Sequence, residues 1–419
     1  MPEQSRPCKS WQVYFTYDCL KCYLIHMKNS KTEIELRYRF SNHLKSFRTQ
    51  RNLSQGQLAT RSGVTRQAVS AIESNLYLPA TAVALRLASV LDCHVEDLFS
   101  LVPTEDIVEG TLIGHLPQAE TSTHPIRVKV STVGKRTVVR RVTDLGEQLS
   151  FAVPADGYIP ETDNKPSGST VRVKLSRDRD AIAQEISVAG CDPAIFLVGE
   201  HLRRHKDRTT VVGWTMGSMA ALQALQRGEV HVAGMHLFDP VTGESNLPFL
   251  KRSLKGSSYE VVTFATWEEG FLVRPGNPKS IRTGADLIEP TVTLVNREEG
   301  SGARLLLDQR LRTSGVEEAQ VRGYERIVSS HFEVARAIAE RQADVGIGIR
   351  SAAQLFDLDF IPLQAARYDL VVPKPYLKSH PTLAHLFETL VSRPFRNEIE
   401  ALGGYDTSET GKAQALRTD

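Results

Sequence analysis

The sequence is poor in cysteine, with five thiols, Cys8, Cys19, Cys22, Cys93 and Cys191, scattered over 419 residues. An odd number at irregular spacing argues against a disulfide framework and favours reduced thiols in the cytosol. Two of these thiols form a lone CxxC motif, Cys19 and Cys22, which is not followed by a second pair at zinc-site spacing. The sequence therefore predicts neither a metal site nor a cofactor.

Long apolar runs are also absent from the sequence, since none approaches the about 18 residues of a membrane-spanning helix. Among the first 27 residues, Gln12, Asp18 and Lys21 interrupt the aromatic side chains, so this segment lacks the continuous apolar core of a signal peptide. We therefore predict a cytoplasmic protein. Residues 1–33 are expected to be a poorly ordered leader, with Met27 as an alternative start.

There is almost no net charge, +2 from 51 basic and 49 acidic side chains, but the charge is unevenly distributed. Between Arg39 and Leu91, Glu73 is the single acidic residue, against seven basic ones: Arg39, Lys45, Arg48, Arg51, Arg61, Arg66 and Arg86. A local excess of positive charge is what binding to phosphates requires. The alternative is a small helical bundle with a solvated basic surface.

The stretch from Leu53 to Glu73, LSQGQLATRSGVTRQAVSAIE, predicts two helices joined by a tight turn. Ser54 with Gln57 three residues later matches a capping box at the start of the first helix. Gly63 provides the left-handed conformation that ends it, and Thr65 caps the second helix. Two helices joined by so short a turn cross steeply, as they do in DNA-binding pairs.

In the second helix, Ala68, Val69 and Ile72 form the inner face, and the outer face presents side chains that can read DNA. Arg and Gln make paired hydrogen bonds with guanine and adenine edges in the major groove. The predicted DNA-binding residues are Gln55, Arg61, Thr65, Arg66, Gln67, Ser70 and Ala71. Helices expected at Ser41 to Arg51, Ala80 to Leu91 and Val95 to Phe99 complete a five-helix domain over residues 34–100.

The segment HLKSFRTQRNLSQGQLATRSGVTRQAVSAIESNLYLPATAVALRLASVLDCHVEDLF resembles the Cro and phage-repressor (XRE) type of helix-turn-helix domain along its whole length. The resemblance implies that Gln55 touches the DNA backbone and that Arg66, Gln67 and Ala71 face the bases. Many relatives read E-G-K/R-x-x-P after the second helix, where this chain has Glu73 to Pro79 without a basic residue. One phosphate contact is therefore in doubt.

Residues 101–185 begin as a linker rich in Pro and Gly and continue as a β-rich module. Ile126, Val128 and Val130 alternate with Arg127 and Lys129, and Val171 to Leu175 repeats the pattern. Further strands are expected at Thr137 to Val142 and Leu149 to Val153. A basic cluster in this module is interpreted as a solvated strand face, with DNA contact as the alternative; it comprises Arg127, Lys129, Lys135, Arg136, Arg140 and Arg141.

From residue 186 to 404 short apolar strands alternate with helices, which predicts an α/β domain, and residues 405–419 are expected to be a tail. The expected strands are Ile186 to Ala189, Thr209 to Gly213, Val230 to Met235, Val261 to Thr266, Gly270 to Val273, Thr291 to Val295, Val345 to Ile349 and Tyr368 to Val372. The expected helices are Ala194 to Arg204, Ser218 to Arg227, Ala303 to Thr313 and Phe332 to Arg341. The whole chain is thus predicted to be multidomain.

Three loop-to-helix junctions in this domain suggest anion binding: Gly217-Ser218, Asn296 to Arg304, and Ser329-Ser330-His331. Free N–H groups at a helix start, with small residues that allow close approach, bind anions without a cationic side chain. Arg297 and Arg304 add guanidinium donors. Each junction also has a purely structural explanation as ordinary helix capping.

The segments CDPAIFLV, GWTMGSMAALQALQRGEVHVAGMHL, VNREEGSGARLLLD, HFEVARAIAERQADVGIGIRSAA and DFIPLQAARYDLVVP resemble, in this order, a cytosolic molybdate-type periplasmic-binding-protein-like domain. The resemblance implies a bilobal type II fold with a small ligand between the lobes. The ligand-binding residues it implies are Asp192, Gly217, Ser218, Met219, His236, Arg297, Ser301, Gly302, Arg304 and Tyr368. Asp192 is awkward for a bare oxyanion, because a carboxylate repels it.

Taken together, these features favour a ligand-responsive transcriptional regulator over two alternatives. We expect a homodimer that binds double-stranded DNA and senses a small anion, molybdate or tungstate, with a pterin-linked or organic anion as runner-up. A cytosolic solute-binding protein is the second class, and an enzyme of molybdenum-cofactor metabolism the third. No nucleophile, base and orienting group lie together in the sequence, so no enzyme is predicted and no catalytic residue is assigned.

Overall fold

The computed structural model describes residues 38–103, 106–115, 124–160, 169–205, 209–254, 258–380 and 382–417. The expected leader, the CxxC pair and Met27 lie outside the described residues. Two compact units divide the chain, residues 1–106 and residues 107–419. No helix within the described ranges is long and apolar enough to cross a membrane.

The first unit is a helical domain closed by a pair of strands. Its helices are α1 (Leu44–Gln50), α2 (Gln55–Ser62), α3 (Arg66–Glu73), α4 (Thr81–Val90) and α5 (Val95–Leu98). Strands β1 (Tyr38–Asn42) and β2 (Phe99–Pro103) pair in antiparallel fashion. The first predicted helix therefore begins three residues later than expected, because Ser41 and Asn42 belong to β1. Leu58, Val69, Ile72 and Leu87 are among the buried core residues.

The predicted caps of the two central helices are confirmed. Ser54 Oγ accepts the Gln57 N–H at 3.2 Å, and Gln57 Oε1 accepts the Ser54 N–H at 2.8 Å. Gly63 has φ 65°, the left-handed conformation that glycine adopts without steric cost. Thr65 Oγ1 accepts the Ala68 N–H at 3.1 Å. These local contacts fix where α2 ends and α3 begins.

The described strands between residues 107 and 175 form a closed five-stranded barrel, where a linker followed by a β-rich module was expected. Its strands are β3 (Ile107–Leu112), β4 (Ile126–Val133), β5 (Arg136–Arg141), β6 (Gly157–Ile159) and β7 (Thr170–Leu175), in the order β3-β5-β4-β6-β7. Only the β3–β5 pair among these is parallel. Val128, Val130, Val139, Val171 and Val173 fill its interior.

The strand expected at Leu149 to Val153 is wrong, because this segment belongs to helix α6 (Glu147–Ala152). Gly146, with φ 94°, lets the chain leave the short 3-10 helix Val142–Leu145 and enter α6. Leu149 and Val153 lie four residues apart and both pack against the apolar core that surrounds Trp214. A strand would place Phe151 on the same face as Leu149 and Val153, but Phe151 is 91% exposed, so only the helix buries the two and leaves Phe151 outside.

Two residues of the basic cluster of the barrel, Lys129 and Arg140, lie neither on a solvated face nor on an exposed DNA-binding surface. Lys129 is 2% exposed and Arg140 is 8% exposed. Lys129 pairs with Asp156 and Glu185, and Arg140 pairs with Glu229. Since Glu185 and Glu229 belong to the α/β region, burial of these cations attaches the barrel to that region.

The α/β domain is built on one eight-stranded sheet with the order β16-β13-β17-β10-β8-β9 and two more strands, β18 and β19, paired to β13. The sheet strands are β8 (Ile186–Gly190), β9 (Val211–Thr215), β10 (Val232–Met235), β13 (Ser258–Val273), β16 (Val345–Ile349), β17 (Asp359–Pro373), β18 (Tyr405–Asp406) and β19 (Ala413–Arg417). Outside the sheet lie β11 (Phe238–Asp239), β12 (Glu244–Ser245), β14 (Asn296–Arg297) and β15 (Ile327–Val328).

Helices cover this sheet. In chain order they are α7 (Arg179–Ala183), α8 (Ile195–His205), α9 (Ser218–Gln226), α10 (Leu247–Ser253), α11 (Gly302–Thr313), α12 (His331–Ala339), α13 (Arg350–Leu355), α14 (Lys374–Ser379), α15 (Leu383–Leu390) and α16 (Arg393–Ala401). Two further 3-10 helices span Gly284–Ile288 and Glu318–Gln320. The predicted alternation of strands and helices is confirmed for this domain.

Two long strands, β13 and β17, pair in antiparallel fashion along most of their length and connect two lobes. The first lobe contains β8, β9 and β10, and the second contains β16, α11 and α12. Register shifts at Thr263/Ala265 and Glu269/Gly270 bend β13 in the middle. The two extended segments expected around Trp267 are thus one continuous strand.

Two sequence expectations for this domain are corrected. Residues 405–417 are not a free tail, since β18 and β19 both pair with β13. Thr291 to Val295 is not a regular strand and makes a single bridge, Leu294 to Val345. The Thr293 N–H donates to the Asp344 carboxylate, and the Leu294 N–H donates to the Arg322 carbonyl. Side-chain and loop partners replace the ladder that a strand would need.

Candidate functional site

The outer face of α3 lies open, as predicted for a recognition helix. Arg66 and Gln67 are exposed, and Ser70 and Ala71 are half-buried. Arg66, Gln67 and Ser70 line a shallow depression together with Gln55 from the start of α2. The side chain of Thr65 is used as a cap, and Arg61 is exposed in the last turn of α2. Two helices thus place Gln55 beside the residues expected to read bases.

A buried ion pair removes one positive and one negative charge from the surface of this domain. Arg48 Nε lies 2.6 Å from Glu73 Oε1, and both side chains are almost inaccessible. Gln55 Nε2 donates to the other carboxylate oxygen at 2.9 Å. Arg48 is therefore not available to phosphates. Its role is structural, because it neutralises Glu73, the single acidic residue between Arg39 and Leu91, and that carboxylate in turn holds the Gln55 amide.

A second cluster of functional side chains lies between the lobes of the α/β domain. Three of its members come from connections on different elements: Cys191 follows β8, His236 follows β10, and His331 begins α12. All three side chains are buried, and their ligand atoms lie within 4.8 Å of one another. The parallel alignment of β8 and β10 brings the first two together, since strands that run the same way end at the same edge.

His236 lies against a buried carboxylate that sequence reasoning did not identify. Its Nδ1 is 3.0 Å from Glu269 Oε1, and both side chains are fully buried. Burial alone would lower the pKa of the His236 ring, but Cys191 and Glu269 outweigh it and raise that pKa to about 10. The sequence signal that could have identified Glu269 is an acidic residue within the long apolar strand β13.

His331 and Arg297 both lie in the second lobe, and the positive charge of Arg297 acts on the His331 ring. Among the residues that the structure describes, neither ring nitrogen of His331 has a hydrogen-bond partner, and Arg297 Nη1 also has none. Burial, and then the charges of Arg297 and His236, lower the pKa of His331 well below its usual value. The remaining nitrogens of Arg297 donate to Glu298 at 2.8 and 2.9 Å and to the Ser329 carbonyl at 3.0 Å.

Asp192 is held by neutral donors rather than by an arginine. Its Oδ1 accepts from the Ala194 N–H and from the Tyr405 hydroxyl, each at 2.9 Å, and its Oδ2 has no partner. Burial raises the pKa of Asp192 to about 6. The Tyr405 contact depends on β18, so the segment expected to be a tail supports the site.

The predicted anion site at the start of α9 is filled by the opposite lobe. The Met219 N–H donates to the Gly300 carbonyl at 3.2 Å, and Ser218 Oγ accepts the His236 N–H at 3.1 Å. A Cβ on Gly217 would lie 2.8 Å from Glu298 Oε1. The two lobes therefore contact each other directly, and glycine is needed where they meet.

The N-terminus of α11 is also occupied by contacts within the protein. Ser301 Oγ caps the helix by accepting the Arg304 N–H at 3.2 Å. A Cβ on Gly302 would lie 2.3 Å from the His236 carbonyl oxygen. Arg304 does not join the cluster, because it pairs with Asp308 at 3.1 Å and its guanidinium stacks 3.9 Å from the Tyr324 ring centre.

Tyr368 lies beneath the Cys191–Asp192 loop as part of the core. It is 1% exposed, and a Cβ on Gly190 or Gly234 would fall 2.1 or 1.8 Å from its hydroxyl oxygen. Burial, with the nearby Cys191 and Asp192, raises the pKa of Tyr368 well above its usual value. This tyrosine supports the loop that carries Cys191.

A cavity of about 480 Å³ reaches the cluster from outside. Cys191 and His331 line it, together with Phe196 and Ser330. Its opposite wall is Asp144 to Gly146 and Leu149, which belong to the connection between the barrel strands β5 and β6. The sequence did not indicate that this segment would border the cleft, because Leu149 was expected in a strand.

Two family models match the chain. Residues 44–98 match the helix-turn-helix model, and residues 199–391 match the PBP superfamily domain model. Over 227 residues the chain is 36% identical to the uncharacterized protein YvgK of Bacillus subtilis (strain 168), covering 54% of this chain and 72% of that protein.

The helix-turn-helix region has its own relatives. Over 58 residues the chain is 40% identical to the uncharacterized HTH-type transcriptional regulator MJ0272 of Methanocaldococcus jannaschii, covering 14% of this chain and 88% of that protein. Among solved structures, an ABC-type phosphate transport receptor from Vibrio cholerae aligns with a TM-score of 0.37 and 15% identity, covering 52% of this chain and 98% of that one.

Proposed function

The chain belongs to the helix-turn-helix family and to the PBP superfamily, and on that premise we propose that it is a one-component transcriptional regulator whose DNA affinity responds to a small ligand held between the two lobes. Since its proposed target is DNA, the protein would act in the cytoplasm. The helix-turn-helix would bind DNA, and the α/β domain would bind the ligand.

One observation carries the sensor half of this proposal. Among the described residues, Asp192 Oδ2, Arg297 Nη1 and both ring nitrogens of His331 are buried without hydrogen-bond partners. Leaving such a group unpaired costs about 1–3 kcal/mol, and more when it is charged. A polar ligand that engaged several of them would bind with that free energy in its favour, which is typical of a binding site rather than of a structural core.

For the ligand, we propose a small molecule or ion with an anionic group that pairs with Arg297 Nη1. Molybdate and tungstate are the first candidates, followed by a pterin-linked or organic anion. A bare dianion would meet repulsion from Asp192 and Glu269, so the favoured ligand also carries a donor or a positive centre. Phosphate and sulfate serve as comparison anions.

We propose that ligand binding changes how tightly the lobes close. Met219 contacts Gly300, and His236 contacts Gly302, so closure already involves both walls of the cleft. A ligand shifts such an equilibrium only if it binds the two arrangements with different affinity. Asp144 to Leu149 border the cavity and lie between the DNA-reading domain and the cleft in sequence, which makes this segment the proposed route of coupling.

We further propose that the protein acts as a homodimer on two half-sites. Leu76, Tyr77 and Leu78 are 83%, 51% and 60% exposed on the connection after α3. Adjacent exposed apolar side chains of this size are typical of protein contacts. Dimeric helix-turn-helix proteins place two recognition helices one helical turn of DNA apart.

The test uses the full chain and a duplex selected from a random DNA pool. Fluorescence anisotropy should show that affinity for this duplex changes severalfold when molybdate, tungstate, a transition-metal salt or a cell extract fraction is added. Heat-treated albumin in the same buffers controls for effects on the dye. Unchanged DNA affinity with every ligand that the α/β domain binds would contradict the sensor proposal.

Enzymatic activity is the second candidate function because of one arrangement of side chains. Cys191, His236 and Glu269 lie in the order nucleophile, base and orienting carboxylate, which the linear sequence did not show. If this arrangement activates the thiol, alkylation of Cys191 by iodoacetamide should slow markedly in His236→Gln. Equal rates in both proteins would exclude this activation.

A further inference from the structure

Three side chains with metal-binding atoms meet in the cleft, although the sequence predicted no metal site. Cys191, His236 and His331 lie 45 or more positions apart in sequence, so their spacing does not follow any short zinc motif. In the fold, one sulfur and two ring nitrogens come within 4.8 Å of one another. This separation lets a single ion contact all three after small side-chain rotations, because metal–sulfur and metal–nitrogen distances are about 2.0–2.3 Å.

His236 is oriented in the way that metal-binding histidines usually are. Glu269 Oε1 lies against its Nδ1 at 3.0 Å, which leaves Nε2 as the ligating atom. Gln364 Nε2 in turn donates to the other oxygen of Glu269 at 3.1 Å. A carboxylate behind a histidine fixes the ring and increases its basicity toward a metal. The chain therefore supplies an outer shell as well as the ligands.

Within the described part of the chain, His331 has no hydrogen-bond partner that would explain its burial. It is 1% exposed, and both ring nitrogens lack hydrogen bonds. Its ring packs near those of Trp267 and His236, with centres 6.1 and 5.7 Å apart. An imidazole that only filled the core would leave two polar atoms unpaired at a cost, whereas coordination would satisfy one of them.

We propose that Cys191, His236 and His331 bind one transition-metal ion of the softer kind, such as Zn²⁺, Co²⁺, Ni²⁺ or Cu⁺. A sulfur with two imidazoles suits these ions and does not suit Mg²⁺ or Ca²⁺, which require oxygen ligands. The inference rests on the proposed function, because it names the ligand class of the same cleft. Sensing would then depend on a metal, alone or with a bound anion.

The surrounding charges fit a cation with an anionic co-ligand. Glu269 and Asp192 are buried carboxylates, Asp192 Oδ2 has no hydrogen-bond partner among the described residues, and a metal cation would offset their charge. Three protein ligands leave a fourth position open on a tetrahedral ion. Arg297 Nη1 is the unpaired donor on the His331 side, so an oxyanion or carboxylate on the metal would also meet a guanidinium.

The experiment uses Co²⁺ as a spectroscopic probe on the full chain. Because Cys8, Cys19, Cys22 and Cys93 would also bind cobalt, the reference protein carries Cys→Ser at these four positions and keeps Cys191. We expect one Co²⁺ per chain, with a sulfur-to-cobalt charge-transfer band and visible bands of tetrahedral intensity. Added Zn²⁺ should displace the cobalt and remove both the charge-transfer band and the visible bands.

Matched variants identify the ligands. In this reference, Cys191→Ser should abolish the charge-transfer band, and His331→Gln should lower Co²⁺ affinity at least about tenfold. Glu269→Gln should lower it about 10- to 100-fold, as loss of an outer carboxylate does elsewhere. His385→Gln, on an exposed face of α15, is the control and should leave the affinity unchanged. Equal midpoints of urea unfolding, followed by circular dichroism, would show that the second unit folds in all variants.

The outcomes separate this inference from the proposed function. A missing charge-transfer band, or a band that persists in Cys191→Ser, overturns the metal site. If cobalt binds as expected but DNA affinity does not change with Zn²⁺ or with any other ligand, the metal site stands and the sensor proposal fails. If DNA affinity responds to an anion while cobalt does not bind through Cys191, the sensor proposal stands and the metal site fails.

Discussion

Lys129 Nζ lies 2.9 Å from Glu185 Oε2, and both side chains are 2% exposed. Lys129 belongs to the barrel, and Glu185 immediately precedes the first strand of the α/β domain. The same ammonium contacts Asp156 Oδ1 at 2.8 Å, and Arg177 approaches both carboxylates. This four-residue network attaches the barrel to the α/β domain through three almost fully buried charges and the partly exposed Arg177.

Removal of Lys129 should therefore destabilise the second unit. In Lys129→Ala two buried carboxylates would retain only Arg177 as a counter-charge, and we expect the free energy of unfolding to fall by about 3 kcal/mol. Urea unfolding followed by circular dichroism measures this change. Lys251→Ala, on the exposed side of α10, is the control and should shift the free energy by no more than about 0.5 kcal/mol. A similar small shift for Lys129→Ala would mean that the pair contributes little.

Gly302→Ala should loosen the contact between the lobes. The new methyl group would lie 2.3 Å from the His236 carbonyl and 2.5 Å from its ring, so the lobes must separate or shift. Overpacking of this kind costs about 1–3 kcal/mol. Hydrogen exchange at the Met219 amide, which donates to Gly300 across the cleft, should accelerate about 10- to 100-fold, corresponding to that free energy.

Thr313→Ala at the far end of the same helix is the matched control for Gly302→Ala. Its hydroxyl bonds only to the Gln309 carbonyl on an exposed face, so the Met219 exchange rate should not change. If Gly302→Ala left that rate unchanged too, Gly302 would not limit closure.

Arg66 and Gln67 should determine which sequences the protein prefers. Arg66→Ala is expected to weaken binding to the selected duplex by about 1–3 kcal/mol and to relax the preference at one base pair. Arg61→Ala and Gln55→Ala should weaken all duplexes alike, and Arg61→Ala should also reduce the salt dependence by about one unit of slope. Competition with point-mutated duplexes separates the two behaviours. Equal losses on all duplexes for Arg66→Ala would remove it from base reading.

Stability of the second unit should fall between about pH 6.5 and pH 4 because of His231. Burial, and then the charge of His380, lower the pKa of His231 to about 4, against the weaker effect of a bond to the Thr132 carbonyl. Its Nδ1 accepts the Ser187 N–H at 3.0 Å, so protonation would break that bond. The unfolded chain binds the proton near pH 6.5 and the folded chain only near pH 4, so acidification favours unfolding, by about 3 kcal/mol in total.

His231→Gln tests this pH dependence, because glutamine does not titrate. The difference in unfolding free energy between the two proteins should change with pH in this window and be constant above pH 7.5. His385→Gln is the control at an exposed histidine. Parallel pH profiles for His231→Gln and the original protein would contradict the assignment.

The helix-turn-helix could be predicted almost completely because its determinants are local. Ser54, Gln57, Gly63 and Thr65 each act on backbone groups within five residues. The alternation of strands and helices after residue 186 was also readable, since burial of one face imposes a period on the sequence. Leu149 to Val153 was assigned to the wrong element because its two apolar residues at the ends fit either period over so short a stretch.

Whether charged side chains are exposed or buried was not predictable in the same way. Arg48 looked like one basic residue among seven, yet it is buried against Glu73, which lies 25 positions later. Lys129 and Arg140 sit on strands whose pattern suggested an exposed face. Whether a charged side chain is solvated or paired depends on what packs over it, and those partners lie 56 and 89 positions away.

The sequence by itself determined the caps, the turn, the secondary-structure periods and the presence of a DNA-reading helix pair, because each depends on neighbours in the chain. The tertiary structure decided which loops form the cleft, that Gly300 fills the start of α9, and that Cys191, His236 and His331 converge with Glu269 behind them. Those contacts join residues between 33 and 140 positions apart, and only the closing of the sheet and the two lobes brings such residues within bonding distance.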